Sequence, residues 1–247
     1  MVYVFRLAVN DLKNILRDKF LVYAAIALPL LVIVISQIYV LWIGPPLEEI
    51  ISLTGTTTGN YKAIFLLCAT MLPLVYGFIS AFLILDEKDE HLLTVLRVMP
   101  ISRNSYLIYR MLFMSIFSFC VLMIYPALSG LLGEFPNFSY INYIPAAILL
   151  TLLTPFSALL VTAFATNKVQ AFAIFKISGT IFIVPLFAFL LSGSLRYIFA
   201  PAPNFWALIT LKNVIDTGLN DYLHMGIGFA YIIVLIGILF YIFNKKN

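Results

Sequence analysis

Charge is scarce in this chain. Only 11% of its 247 residues are Asp, Glu, Lys or Arg, 63% are hydrophobic, and mean hydropathy is +1.05. A water-soluble domain carries about 25% charged residues, so a soluble globular fold is excluded. A nucleic-acid-binding face is excluded with it, since that needs clustered Lys and Arg on a soluble surface. The net charge of +4 reads instead as loop charge beside a membrane. Cysteine is nearly missing. Cys68 and Cys120 each fall inside an apolar run and read as small buried apolar residues. They provide neither a disulfide framework nor metal-ligand spacing. No glycine is followed by lysine, so the phosphate-cradling G-x-x-x-x-G-K-[ST] loop is missing and the chain does not hydrolyse ATP in that manner. The two histidines, His91 and His224, stand far apart with no H-E-x-x-H, which argues against a zinc protease. No His or Asp lies at membrane depth to activate a Ser or Thr, and hydroxyls there usually bond to neighbouring helices. No Asp or Glu stands in the middle of an apolar run, and Lys176 lies near the end of one. A charge at the bilayer centre costs at least ~3 kcal/mol and marks proton or ion routes, so its absence argues against a proton-coupled carrier.

What is present is apolar sequence in long runs. Six spans are predicted, over about 21–43, 62–85, 106–132, 142–165, 173–193 and 225–243, each with roughly the 20 residues that a bilayer crossing needs. The first run begins near Leu21 and lacks a small-residue cleavage site, so it reads as a retained span and not a signal peptide. An even number of spans puts both termini on one side. With the termini inside, Arg6, Lys13, Arg17, Lys19, Lys88, Arg97, Arg103, Arg110, Lys168, Lys176, Lys245 and Lys246 all face the cytoplasm, and only Lys62, Arg196 and Lys212 of the fifteen basic residues lie outside. The positive-inside rule selects that orientation. The chain is predicted to form a single transmembrane domain over 1–247, an all-α polytopic membrane protein.

Three further segments have their own character. Residues 3–20 carry an apolar stripe of Phe5, Ala8, Val9, Leu12, Ile15 and Leu16 opposite Arg6, Asn10, Lys13, Asn14 and Arg17. This predicts an interfacial amphipathic helix, either an anchor or also part of a docking surface. Residues 44–61, with Pro45, Pro46 and the run Gly55 to Gly59, predict an irregular outer loop. Residues 194–224 are interrupted by Pro201 and Pro203 and predict one or two short helices dipping into the outer leaflet. Such backbone survives at that depth only when packed on protein or facing water. Pro29, Pro73, Pro126, Pro155 and Pro185 each fall inside one of the first five spans. Proline kinks a helix, and two readings stay open: bends along a transport path, or ordinary membrane packing.

The most telling stretch is Asp86 to Tyr106, DEKDEHLLTVLRVMPISRNSY. It is a charged island between two spans, longer than a turn requires. Leu92, Val95, Leu96 and Met99 recur at i, i+3, i+4 and i+7, the pattern of an amphipathic helix. A helix of this kind outside the membrane implies a partner that grips it. The residue before a proline avoids the helical region, so Pro100 stops the helix. Ser102 can then cap the third span by accepting a backbone N–H. Asp86, Glu87, Asp89 and Glu90 read either as partners for basic groups on a docked protein or on the N-terminal helix, or as a solvated charged loop. Exposed ion pairs are worth only ~0–1 kcal/mol each, so the apolar face should carry more of the docking.

Glu87 to Arg103 resembles the cytoplasmic loop of type-2 ABC exporter permeases, whose pattern runs roughly E-[KR]-E-x-G-T-L-x-x-L-x-x-[ST]-P-[VIL]-[SR]. Glu87, Lys88, Leu93, Leu96, Pro100, Ile101 and Ser102 match it, and Arg110 matches a basic residue that commonly follows. His91 and Leu92 depart from it, standing where Gly and Thr are usual. The layout of the whole chain is similar too, and among subgroups it looks most like the short drug-export permeases, such as those for fluoroquinolones. The resemblance implies a permease subunit that pairs with a second permease, identical or paralogous, each docking a cytoplasmic ABC ATPase that binds ATP and Mg. It implies that the loop takes force from the ATPase through Glu87, Glu90, Leu92, Leu93, Val95, Leu96, Met99, Pro100, Ser102 and Arg103. It also implies a path at the permease–permease interface, lined by the second and fifth spans, with Thr70, Tyr76, Phe78, Phe182 and Phe187 as candidates. This chain would then hold no cofactor of its own, and small amphipathic or hydrophobic compounds would be the cargo. The competing readings are a non-transporting membrane scaffold or immunity protein, and an intramembrane enzyme.

Overall fold

The computed structural model describes residues 19–47, 59–89, 103–191 and 193–246. Among them the chain is helical, with no strand and no cis peptide bond. After a short α-helical turn at Lys19–Val22, the longer α-helices among the described residues are α1 (Leu28–Ile38), α2 (Gly59–Asp89), α3 (Arg103–Leu128), α4 (Tyr140–Thr151), α5 (Leu153–Phe164), α6 (Lys168–Ile183), α7 (Phe205–Thr217) and α8 (Tyr222–Lys246).

Six helical stretches are long and apolar enough to cross a membrane: Tyr23–Leu47, Tyr61–Lys88, Asn104–Leu128, Tyr140–Phe164, Lys168–Phe189 and Tyr222–Lys246. They fall on the six predicted runs, with ends displaced by a few residues. The first span extends through Pro45 and Pro46 to Leu47, into a region expected to be loop. The fifth begins earlier than expected, at Lys168, where the Asn167 side chain accepts from the Gln170 N–H and caps the helix.

Several spans are not uniform helices, and proline accounts for part of this. The fourth is two helices joined at Leu152, and Pro155 in the first turn of α5 lacks the N–H that a continuous helix would use. The fifth changes from α-helix to 3₁₀ geometry over Val184–Leu190, with Pro185 in its first turn. The first has π-helical turns at Tyr23–Ala27 and Tyr39–Ile43 on either side of α1. Pro73 and Pro126 instead stand inside unbroken helices. The carbonyl of Pro73 accepts from Thr154 Oγ1 at 3.1 Å, which ties α2 to α5.

The architecture turns on α2. Its span is 78% buried, and the fourth is 72% buried, whereas the first, fifth and sixth are 22% buried and the third 33%. The second span is therefore the axis of the protomer, and the peripheral spans present Ile, Leu and Phe outward. Without a hydrophobic driving force between helices in lipid, close approach depends on small residues. Gly77 supplies one such contact: a Cβ there would collide with Ser157 Oγ and lie 2.5 Å from the Thr154 carbonyl. Gly228 supplies another, where α8 passes Leu149 and Trp206. Cys68 is buried as expected, but Cys120 is exposed on the outer surface of α3. An apolar run in a membrane protein has a lipid-facing side, and Cys120 occupies it.

The segment before the last span forms a 3₁₀ turn (Gly193–Phe199) followed by α7. Phe205, Leu208, Leu211 and Val214 of α7 are fully buried, packed on α4, α8 and α2. The cover falls on the regular helix α7, while the 3₁₀ turn before it exposes Leu195 and Ile198, 66% and 72% accessible. Gly218 ends α7 in the left-handed region, at φ 70°, and a Cβ there would strike the Asn137 carbonyl. The N-terminal helix expected over 3–20 falls almost wholly outside the described residues, and so does most of the loop expected over 44–61.

Candidate coupling end and transport cleft

At one end of the bundle, the last turn of α2 carries two consecutive carboxylates. Consecutive residues in an α-helix point about 100° apart, so Asp86 and Glu87 face different neighbours. Asp86 pairs with Lys168 at the start of α6, at 2.5 Å. Glu87 pairs with Arg110 in the second turn of α3. Arg110 is only 1% exposed, and its guanidinium also lies 5.9 Å from the centroid of the Tyr106 ring. At the same end, Lys246 Nζ donates to the Ala163 carbonyl at 3.1 Å, a cation at the C-terminus of α5 where the helix dipole favours it.

Asp86 and Glu87 thus each have a partner within the chain, Lys168 and Arg110. The physical reason is burial: a charge at Arg110 has no water to turn to, so it takes the carboxylate at its own depth. Arg103 opens α3. Glu90, Leu92, Leu93, Val95, Leu96, Met99, Pro100 and Ser102 lie outside the described residues.

The five path candidates separate into distinct environments. Thr70 is buried, and its Oγ1 donates to the Leu66 carbonyl at 2.8 Å. Phe78 is buried in an aromatic cluster, stacked on Phe175 with centroids 4.1 Å apart and flanked by Phe82 and Phe172. Phe182 is buried against Phe156, and its carbonyl accepts from Asn204. Phe187 is exposed on the fifth span. Tyr76 lines a cavity. This is an apolar cleft of about 390 Å³ between the first and third spans, bounded by Ala25, Ile26, Pro29, Ile33, Met114, Phe117, Val121 and Ile124 among others. Drug-sized pockets occupy ~300–1,000 Å³. The Tyr76 hydroxyl donates to the Ala25 carbonyl at 3.1 Å, inside the π-helical turn, a feature frequent at functional sites. A helix surrounded on all sides has no outward face to give to a subunit interface, which is why Thr70 and Phe78 of α2 are core residues in this conformation, whereas Phe182 is the inward side of a largely peripheral span.

The opposite end holds a polar network that the sequence pattern did not single out. Asp216 bridges Lys62 of α2 at 2.5 Å and Lys212 of α7 at 2.6 Å. Burial raises the Asp216 carboxyl, but the two ammonium groups outweigh it and hold the carboxyl below its ordinary value. Asp221 pairs with His224 at 2.5 Å, and His224 Nε2 lies 2.8 Å from the Tyr197 hydroxyl. Partial burial raises the Asp221 carboxyl, and bonds from the His224 backbone and ring lower it further than that. Asn137 and Asn142 donate to the carbonyls of Asp216 and Gly218, which fastens the end of α7 to the neighbouring loop and to α4. The spacing of Lys212 and Asp216 at i, i+4 and of Asp221 and His224 at i, i+3 was the available signal. Among the described residues, no group of three or more His, Cys, Asp or Glu is placed to hold a metal ion.

The sequence matches one family and two curated relatives. The family model described as fluoroquinolones export permease protein Rv2686c-like covers residues 11–240. Two proteins of Mycobacterium tuberculosis, the fluoroquinolones export permease protein Rv2686c of strain ATCC 25618 / H37Rv and the fluoroquinolones export permease protein MT2760 of strain CDC 1551 / Oshkosh, are each 26% identical over 242 residues. Each alignment covers 96% of this chain and 92% of the relative. No solved structure matches. The chain is a multi-pass membrane protein belonging to the Rv2686c-like family of fluoroquinolones export permeases.

Proposed function

We propose that this chain is the membrane subunit of an ATP-driven exporter. It moves small amphipathic or apolar compounds, fluoroquinolone-like molecules among them, out of the cytoplasm. The family match across residues 11–240 carries this reading. The chain supplies the path and not the chemistry. A separate cytoplasmic ABC ATPase binds ATP and Mg and supplies the energy. A second permease, identical or paralogous, completes the pair, and membrane lipids surround both.

The orientation follows from charge. Both termini and the 86–105 segment face the cytoplasm, which places twelve of the fifteen basic residues inside. The Arg110 end of the bundle is then cytoplasmic, and the end carrying Lys62, Arg196 and Lys212 is external. The ATPase docks on the 86–105 segment, chiefly through the apolar face of Leu92, Val95, Leu96 and Met99, with Glu90, Leu93, Pro100, Ser102 and Arg103 alongside. Cargo passes between the two permeases along the second and fifth spans, where Thr70, Tyr76, Phe78, Phe182 and Phe187 become accessible as helices separate. The apolar lining of the cleft beside Tyr76 is in keeping with flat, hydrophobic cargo.

The test is purification of the tagged chain from its native membrane, followed by an ATPase screen against candidate compounds. An ATPase subunit should co-purify, and a fluoroquinolone should raise its hydrolysis rate. A chain that comes away without any nucleotide-hydrolysing partner is a scaffold or immunity protein instead.

A further inference from the structure

The two carboxylates at the end of α2 stand at the root of the segment that the exporter reading assigns to the ATPase. We propose that Asp86 and Glu87 form a fork that ties α2 to α6 and α3, so that displacement of the 86–105 segment moves three spans as one body. The inference rests on the exporter reading and adds to it two positioning residues and their partners, Lys168 and Arg110.

The geometry supports this in three ways. Adjacent positions on one helical turn address two different spans, Asp86 toward α6 and Glu87 toward α3. Glu87 and Arg110 lie on the two helices that flank the 90–102 stretch, so the pair fixes the register of its two ends relative to each other. The Glu87–Arg110 pair is also buried, with Arg110 1% exposed. A buried ion pair contributes little net stability compared with apolar side chains of similar volume, because desolvation offsets attraction. Its best-attested advantage is a unique register. Stability alone therefore gives no reason for charge at these positions, whereas transmitted movement does. The Asp86–Lys168 pair is half-exposed and adds the second tine at lower strength.

The experiment uses the chain with its co-purified ATPase in lipid nanodiscs. It measures fluoroquinolone-stimulated over basal ATP hydrolysis, together with thermal unfolding. Three samples are compared: wild type, the doubly apolar Glu87→Met/Arg110→Met, and Asp86→Asn. A pair with a structural role alone predicts that Glu87→Met/Arg110→Met keeps its stimulation ratio whatever its melting temperature, and that result overturns the proposal. The fork predicts a melting temperature near that of wild type with stimulation reduced at least about fivefold, the lower edge of ordinary coupling between sites. Should Glu87→Met/Arg110→Met fail to insert, Asp86→Asn decides. A fall of about twofold is expected there, in line with a half-exposed pair, and an unchanged ratio overturns the proposal. A wild-type complex with no stimulation at all refutes the exporter reading itself, and the coupling role of the fork goes with it.

Discussion

Gly77 gives the most quantitative handle on how the bundle is held together. It lies where α2 crosses α5, the two most buried spans. A Cβ at this position meets the Thr154 carbonyl at 2.5 Å and collides with Ser157 Oγ. The hydroxyl can rotate away, but the carbonyl belongs to a helix backbone and cannot. Carbon and oxygen in ordinary contact need about 3.4 Å, so Gly77→Ala forces the two helices apart by most of an ångström. Overpacking of this size costs about 1–3 kcal/mol. For a chain of 150–250 residues each kcal/mol corresponds to about 2–4 °C in melting temperature. Gly77→Ala should therefore melt several degrees below wild type in detergent or nanodiscs. Ser157→Ala added to it should recover only part of the loss, because the Thr154 carbonyl remains in place. A Gly77→Ala protein with wild-type melting would refute the close approach of α2 and α5, and a full rescue by Ser157→Ala would show that the backbone contact is immaterial.

Other outcomes follow from single contacts. Tyr76→Phe removes the bond to the Ala25 carbonyl and should cost about 0.5–1.5 kcal/mol, read as a lower melting temperature with unchanged expression. Asp216 has its carboxyl held low by Lys212 and Lys62. Its contribution to stability is present above the ordinary carboxylate pKa near 4 and is lost as pH falls through the lower folded value. Between pH 7 and pH 5 this group should add no pH dependence to melting, since its contribution is fully present there, and the part lost below about pH 4 should vanish in Asp216→Asn. Orientation is checked by thiol labelling: a cysteine introduced at Asn137 should react with a membrane-impermeant reagent added outside intact cells, and one at Lys246 should react only after lysis. Arg97→Ala should reduce fluoroquinolone-stimulated hydrolysis less than Leu96→Asp does, since the proposed docking rests on the apolar residues and an ion pair at a surface contributes little.

The spans were legible because hydrocarbon is an unforgiving solvent. Composition alone marks a run of 20 apolar residues, so all six fell within a few residues of their observed places. Helix irregularity was only half legible. Proline marks where a break is permitted, but Pro73 stands inside one continuous helix, and the fourth span is interrupted at Leu152 near Pro155. Which side of a span faces lipid was not legible at all. Hydrophobic residues serve both environments, so Cys120 and Cys68 read alike in sequence and part company in space. The same ambiguity hid the central place of α2, and with it the burial of Thr70 and Phe78; it also hid which side of the fifth span turns Phe182 inward. The ion pairs were hidden for a different reason. Glu87 and Arg110 are 23 positions apart, and only the antiparallel return of α3 beside α2 brings them to one depth.

Leu96→Asp puts the central claim to its most direct test. The claim is that a separate ATPase drives this permease by gripping the 86–105 segment. The measurement is co-purification of the ATPase with the Leu96→Asp chain, together with fluoroquinolone-stimulated hydrolysis by whatever is recovered. The account predicts a protein that is still inserted in the membrane, with little ATPase bound and stimulation lost. Wild-type values for both quantities would contradict it.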